Sequence, residues 1–350
     1  MLLYIHIPFC DSKCHYCSFN SYVDLFHLRE SYMNALLAQL EFELKRFKAE
    51  EKSIETIFIG GGTPSTVKPE LYRPIFELLR PYIKDNAEIT SEANPNSATS
   101  EWLEGMYALG VNRISFGVQS FNDEKLKKLG RAHRAVDASS AIMRAKEAGF
   151  KHLSLDLIYA VDGDTRELLA HDLQEAFKLP IDHLSAYALT IEEGTPFAST
   201  PDVANEKLAL TEWFLKSIKA HFPTYEISNF GNYHSRHNLG YWEYKDYIGL
   251  GSGAVGFLKE TRYYPTKDVQ AYIENPLDIQ SERLSEASIK TEKIFLGLRS
   301  IVGVSENILS KQELKNAQLL VDENKLTYEE GSFYNEDYLL SDELALFIQQ

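Results

Sequence analysis

The 350-residue sequence has only three cysteines, all between positions 10 and 17. A disulfide framework would leave one thiol over, which argues against a stapled secreted module and for a metal site in a reducing compartment. Basic charge is also scarce: 36 Lys and Arg stand against 51 Asp and Glu, a formal net charge of −15. No Lys/Arg cluster is dense enough to follow a phosphate backbone, so no nucleic-acid partner is expected. Long apolar runs are missing too. No stretch of 18 apolar residues occurs, and the opening Met1 to Ile7 has no basic region and is interrupted by His6. Neither a membrane span nor an export signal is expected. The expected location is the cytoplasm, with transient membrane association left open.

What is present is enough apolar sequence, 44% of residues, for one large α/β domain plus a smaller module. Short β-rich runs alternate with helical patterns up to about position 220, the pattern of repeated βα units. Six strands are expected: Leu2 to Ile7, Thr56 to Ile59, Glu88 to Glu92, Arg113 to Val118, His152 to Leu157 and His183 to Leu189. Each is short and largely apolar, as strands covered on both faces should be. Between them, Tyr32, Leu36, Leu40, Leu44 and Phe47 recur at helical spacing within a helix over 28–48. Six parallel units are too few for a closed eight-stranded barrel. The expected architecture is an open, partial (β/α)6 barrel over 1–228, with ligands at the carboxyl ends of the strands. Residues 229–284, rich in Gly and aromatics, read as a linking region that carries function. Residues 285–350 read as a winged-helix-like α+β module. Its acidic balance favours packing or partner contact over DNA.

Cys10, Cys14 and Cys17 follow the first strand through Pro8-Phe9, so three thiolates share one loop at that strand's carboxyl end. Three soft ligands at this spacing hold three corners of a [4Fe-4S] cubane and leave one iron open. A structural zinc site completed by His15 or His6 is the rival reading of the spacing. Gly60-Gly61-Gly62-Thr63-Pro64 follows the second strand, where glycines let backbone approach a ligand. Glu92 ends the third strand, Gln119 ends the fourth and Asp156 lies in the fifth. Polar side chains in buried strands need partners. A ribose, an adenine edge and a methionine carboxylate would supply them, with Arg131 suited to the carboxylate.

With these residues in hand, the chain resembles the radical S-adenosylmethionine (SAM) superfamily, in the branch of oxygen-independent coproporphyrinogen III dehydrogenases and HemW-type heme chaperones. The resemblance implies that Cys10, Cys14 and Cys17 hold the cluster and that Tyr4 touches the bound SAM. It also implies that Gly61, Gly62 and Thr63 line the SAM amino end, Glu92 the ribose, Gln119 and Arg131 the methionine portion, and Asp156 the ribose or adenine side. Dehydrogenases of this branch carry a further cysteine two residues after the third and an extension ahead of the first strand. Here Phe19 stands at the former position and the first strand starts at Leu2. His237-Asn238-Leu239-Gly240-Tyr241-Trp242 resembles the HNxxYW motif associated with heme in the chaperones. His237 then offers an axial imidazole, with His234 as the alternative, and Tyr241 and Trp242 offer flat surface to a macrocycle. One departure is Val255, where the related Gly-rich segment commonly has a histidine.

The leading expectation is a heme chaperone that binds a [4Fe-4S] cluster, SAM and heme and passes heme to acceptor proteins. An electron donor is required if SAM is cleaved, and no catalytic residue is assigned. The alternative is an enzyme that decarboxylates coproporphyrinogen III through a 5′-deoxyadenosyl radical. A zinc-stabilised binding module is the third.

Overall fold

The computed structural model describes all 350 residues. Up to residue 219 strands and helices alternate, with two helices between β4 and β5: β1 (Leu2–Ile7), α1 (Arg29–Arg46), β2 (Ile54–Gly61), α2 (Pro69–Leu79), β3 (Ile83–Ala93), α3 (Ser100–Ala108), β4 (Arg113–Gln119), α4 (Asp123–Lys128), α5 (Ala135–Glu147), β5 (His152–Tyr159), α6 (Arg166–Phe177), β6 (His183–Ala188) and α7 (Leu208–Lys219). β1 to β6 are parallel and adjacent in chain order. All six expected strands are there, and β2 and β3 run beyond the expected limits. α1 buries Tyr32, Leu36, Leu40 and Leu44, the expected face. Each of these side chains contributes about 1.5–3 kcal/mol by leaving water.

The strands differ from expectation in one respect. Only their outer face is apolar, with Ile57, Ile89, Ile114, Phe116, Leu153 and Leu155 packed beneath the helices. The inner face carries buried Thr56, Glu88, Thr90, Arg113, Ser115, Ser154, His183 and Ser185. The lumen of this partial barrel is therefore polar.

Residues 229–284, expected to link, instead extend the sheet on both edges. β7 (Asn229–Gly231) pairs antiparallel with β6. α8 (Arg236–Trp242) then sits across the N-terminal end of the lumen, where His237 bonds Thr56 of β2. β8 (Tyr247–Leu250) lies parallel to β1, and β9 (Gly256–Leu258), β10 (Thr261–Pro265), α9 (Val269–Glu274) and β11 (Ile279–Arg283) follow. The strand order is β11-β10-β9-β8-β1-β2-β3-β4-β5-β6-β7, an open sheet. These added strands have three to five residues, too short for a period-2 pattern to stand out.

The last part packs α10 (Glu286–Leu298), β12 (Val304–Ser305), α11 (Lys311–Asp322), β13 (Thr327–Glu329), β14 (Ser332–Tyr334) and α12 (Ser341–Ile348) around their own core of Leu298, Leu320, Phe333 and Ile348. α11 begins at Lys311, because Val304 and Ser305 pair with β14 and Ser310 with Glu313 forms a capping box. Glu330 and Gly331 both have positive φ, as a two-residue hairpin turn of matching twist requires. No helix is long and apolar enough to cross a membrane.

Candidate functional site

The loop after β1 is tied back over the strand ends. Cys10 N–H donates to the Tyr22 carbonyl at 2.9 Å, and His15 N–H to the Leu129 carbonyl at 3.0 Å. Cys10 is buried, while Cys14 and Cys17 are partly open. Burial pushes the Cys10 thiol up, and hydrogen bonds from Thr63 and Ser21 act against it. The Thr63 hydroxyl reaches the Cys10 sulfur at 3.4 Å. Of the two histidines of the zinc alternative, His6 has both ring nitrogens engaged and His15 has one. His6 has Nδ1 at 3.0 Å from the Tyr4 hydroxyl and Nε2 at 2.8 Å from the Asn20 carbonyl. His15 packs against Phe197 with Nδ1 on the Lys128 carbonyl.

Two glycines at the carboxyl end of β2, Gly61 and Gly62, form a cradle that side chains would fill. A Cβ on Gly62 would stand 3.1 Å from the Cys10 sulfur and 2.8 Å from the Phe9 carbonyl oxygen. One on Gly61, whose φ is +111°, would strike the His6 ring at 2.5 Å. Arg131 is locked across the opposite wall, donating to the Asn94 amide oxygen at 2.7 Å, the Gly117 carbonyl at 2.6 Å and the Cys14 sulfur at 3.2 Å. Its Nε is buried without a partner. Gln119 closes the same wall in the left-handed region, with φ +68°. The following Phe121 N–H and Ser120 hydroxyl are fixed by the buried carboxylate of Asp172, a support that sequence reasoning missed.

Two carboxyls face this wall. Glu92 accepts the Gly61 N–H at 3.1 Å, and Ser115 approaches Asp156 at 3.5 Å. Burial pushes Glu92 up to about 8, and nearby Asp156 adds to the rise. Burial also raises Asp156 to about 6, against hydrogen bonds from Ser185 and Ser115. Two carboxyls held near neutrality suit a cationic ligand, which lets both ionise.

Cys10, Cys14, Cys17, Gly61, Gly62, Thr63, Glu92, Gln119, Arg131 and Asp156 all line one cavity of about 470 Å³ at the strand ends. Tyr4 does not. It lines an adjoining cavity of about 600 Å³ that shares Gly61 and Glu92 with the first, and Phe19, 64% exposed, stands where the two meet.

A third cavity, of about 360 Å³, opens on the other side of Tyr4 and Val255. It is lined by Tyr241, Tyr244, Tyr247, Phe257, Arg262 and, from α10, Glu292 and Leu296. Arg262 and the Tyr244 hydroxyl both bind the Glu292 carboxylate at 2.6 Å, tying this wall to the C-terminal module. The HNxxYW segment is α8, whose first backbone N–H groups are held by the buried Glu88 carboxylate at 2.9 and 3.0 Å. His237 is 1% exposed, with Nδ1 at 2.7 Å from the Thr56 hydroxyl and Nε2 at 3.0 Å from the Tyr241 hydroxyl. Both ring nitrogens of His237, the expected axial ligand, are engaged within the fold. Trp242 lies outside the cavity lining, and so does His234, which stacks on Tyr225. Tyr241 alone of the expected three reaches the cavity.

The radical SAM superfamily model matches residues 4–176. The heme chaperone HemW of Bacillus subtilis is 36% identical over 322 residues, 87% of this chain and 84% of that one. The heme chaperone HemW of Haemophilus influenzae is 39% identical over 287 residues, 77% and 75% of the two chains. The chain belongs to the HemW family of radical SAM proteins. Among solved structures, coproporphyrinogen III oxidase (HemN) from Escherichia coli superposes with a TM-score of 0.82, covering 99% of this chain and 89% of that one. At 20% identity that likeness speaks for the fold alone. Radical SAM membership brings a [4Fe-4S] cluster and SAM. The residues fit both groups: three thiols without a fourth, a glycine cradle against Cys10, and an arginine with an unsatisfied buried Nε.

Proposed function

We propose that the chain is a heme chaperone, carrying its cluster and SAM at the strand ends and heme in the aromatic cavity beside α8. One observation carries the reading. The likeness to proteins named heme chaperone HemW spans 87% of the chain, far past the superfamily match that ends at residue 176, and cannot avoid the segment from β7 to β10 that builds this cavity.

Cys10, Cys14 and Cys17 would hold three irons and leave the fourth for the amino and carboxylate groups of SAM. When bound, the cluster supplies one-electron reduction of the sulfonium, given an electron donor. Around it, the Gly61 and Gly62 backbone with Thr63 receives the amino end, and Arg131 with Gln119 the methionine portion. Glu92 and Asp156 serve as hydrogen-bond acceptors for the ribose and adenine side. In the neighbouring cavity aromatic walls exclude water from a macrocycle. Heme-accepting proteins are the partners, and the clustered free thiols suit a reducing, cytoplasmic setting.

The test is anaerobic reconstitution, heme titration followed at the Soret band, and addition of an apo-hemoprotein. Saturable binding at one heme per chain, then transfer, is the expected outcome. Absence of saturable binding, or decarboxylation of coproporphyrinogen III above a cluster-free control, would sink the chaperone reading in favour of the enzyme.

A further inference from the structure

Four tyrosines line the aromatic cavity, and their hydrogen-bond partners are not equivalent. Tyr4 bonds His6 Nδ1, but His6 Nε2 faces the Asn20 carbonyl and must donate to it. His6 Nδ1 therefore has no hydrogen to offer, and Tyr4 is held as a phenol. Tyr244 donates to Glu292, a carboxylate already paired with Arg262. Tyr247 packs edge-on against Tyr241 and stands 6.1 Å from Phe257 as aromatic wall. Tyr241 differs from all three. Its oxygen is 3.0 Å from His237 Nε2, and the other ring nitrogen of His237 faces a hydroxyl, Thr56 Oγ1, at 2.7 Å. A hydroxyl donates as readily as it accepts. With Thr56 donating to Nδ1, His237 carries its hydrogen on Nε2 and points it at the Tyr241 oxygen. That is the arrangement that stabilises a phenolate. It also keeps the imidazole neutral, as burial among apolar and cationic neighbours demands.

From this geometry, and resting on the heme-chaperone reading, we infer that Tyr241 is the protein ligand to ferric heme iron, with His237 as the buried hydrogen-bond donor that positions its phenolate. Tyrosinate is an established axial ligand class, and the charge of the iron outweighs the burial that keeps the free phenol protonated. The exchange balances without a redox step. Hydroxide-bound ferric heme enters, the Tyr241 O–H bond breaks, its proton joins the departing hydroxide as water, and an Fe–O(phenolate) bond forms. Ligation through an anionic oxygen also suits a carrier. Reduction of the iron or return of a proton to the phenolate weakens the bond and favours release.

The test uses the full-length, anaerobically reconstituted chain with hemin as probe, read by Soret titration, electron paramagnetic resonance and resonance Raman. Wild type is expected to show a high-spin ferric signature with an iron–phenolate vibration. Tyr241→Phe should lose that vibration and at least tenfold in affinity, with cluster content and far-UV dichroism unchanged. His237→Ala should keep the vibration at shifted frequency and bind more weakly, and Tyr241→His should bind with an imidazole signature. A phenolate vibration that survives in Tyr241→Phe, or a histidine-ligated wild-type spectrum lost in His237→Ala, overturns the ligand assignment while leaving the chaperone reading standing. No saturable hemin binding by wild type overturns both.

Discussion

Glu92 stands at the junction of the cysteine-lined cavity and the adjoining cavity lined by Tyr4, and its replacement by Gln separates stability from binding. In the SAM-free protein its carboxyl titrates near pH 8, against an ordinary 4.5. A carboxyl raised in the folded state binds protons more tightly there than in the unfolded chain. Stability therefore falls as pH rises from 4.5 to about 8 and is level beyond. Between pH 6 and pH 9 only the two units below 8 count, and at 1.36 kcal/mol per unit they amount to about 2.7 kcal/mol. Cavity water screens part of this, leaving about 2 kcal/mol. Glu92→Gln mimics the protonated form and keeps an oxygen for the Gly61 N–H, so it should be near neutral below pH 4.5, and its stability advantage over wild type should grow by about 2 kcal/mol between pH 6 and pH 9. The same substitution should weaken SAM binding about tenfold at pH 9, because an amide replaces an ionised hydrogen-bond acceptor. The assay is denaturant unfolding of SAM-free protein at both pH values, paired with anaerobic calorimetry of SAM binding. Parallel stability curves for the two proteins across this range would refute the assignment of a raised carboxyl at Glu92. Asp156, raised to about 6, adds its own smaller decline at lower pH in both proteins and so drops out of the comparison.

Gly62→Ala forces a Cβ against the Cys10 sulfur and two backbone carbonyls, and iron and sulfide content after reconstitution should fall by more than half. Arg131→Ala removes the wall that spans Asn94, Gly117 and Cys14, so SAM affinity should drop by about 2–3 kcal/mol, the scale of a lost charged hydrogen bond. Its iron content should stay near wild type, and equal loss of both would show a structural role instead. Glu88→Ala strips the carboxylate from the start of α8 and leaves two buried N–H groups unsatisfied, at a cost of about 2–4 kcal/mol in denaturant unfolding, with hemin affinity falling as α8 loosens.

The barrel was legible because its signals are long and repeated. The motif loops at Cys10, Gly61 and Arg131 follow strands whose ends are fixed by the same βα rhythm, so residues up to 146 positions apart could be assigned to one cavity wall by topology alone. The polar lumen was legible as well but was passed over. Arg113-Ile-Ser115-Phe-Gly117-Val-Gln119 and His152-Leu-Ser154-Leu-Asp156 alternate strictly, the pattern of strands with one apolar and one polar face rather than two apolar ones. The edge strands were not legible. β7 to β11 owe their existence to the unpaired rims of β6 and β1, and a segment as short as Asn229–Gly231 becomes a strand only because a partner is waiting.

The hardest residue to read was His237, and the reason is physical. A motif spells out residue types, but whether an imidazole is a ligand or a support depends on what its two nitrogens meet, and those partners come from β2 and from the next turn of the helix. Thr56 lies 181 positions away and is one of many threonines with nothing local to single it out. Tyr241, four residues on, lies on the same helix face and was available to pattern reasoning as a partner of His237. The HNxxYW spacing thus encodes a His–Tyr pair before it encodes a ligand. The fold then decides which member faces the cavity: α8 is pinned at its start by Glu88, so His237 turns inward to Thr56 and Tyr241 turns outward to the aromatic wall.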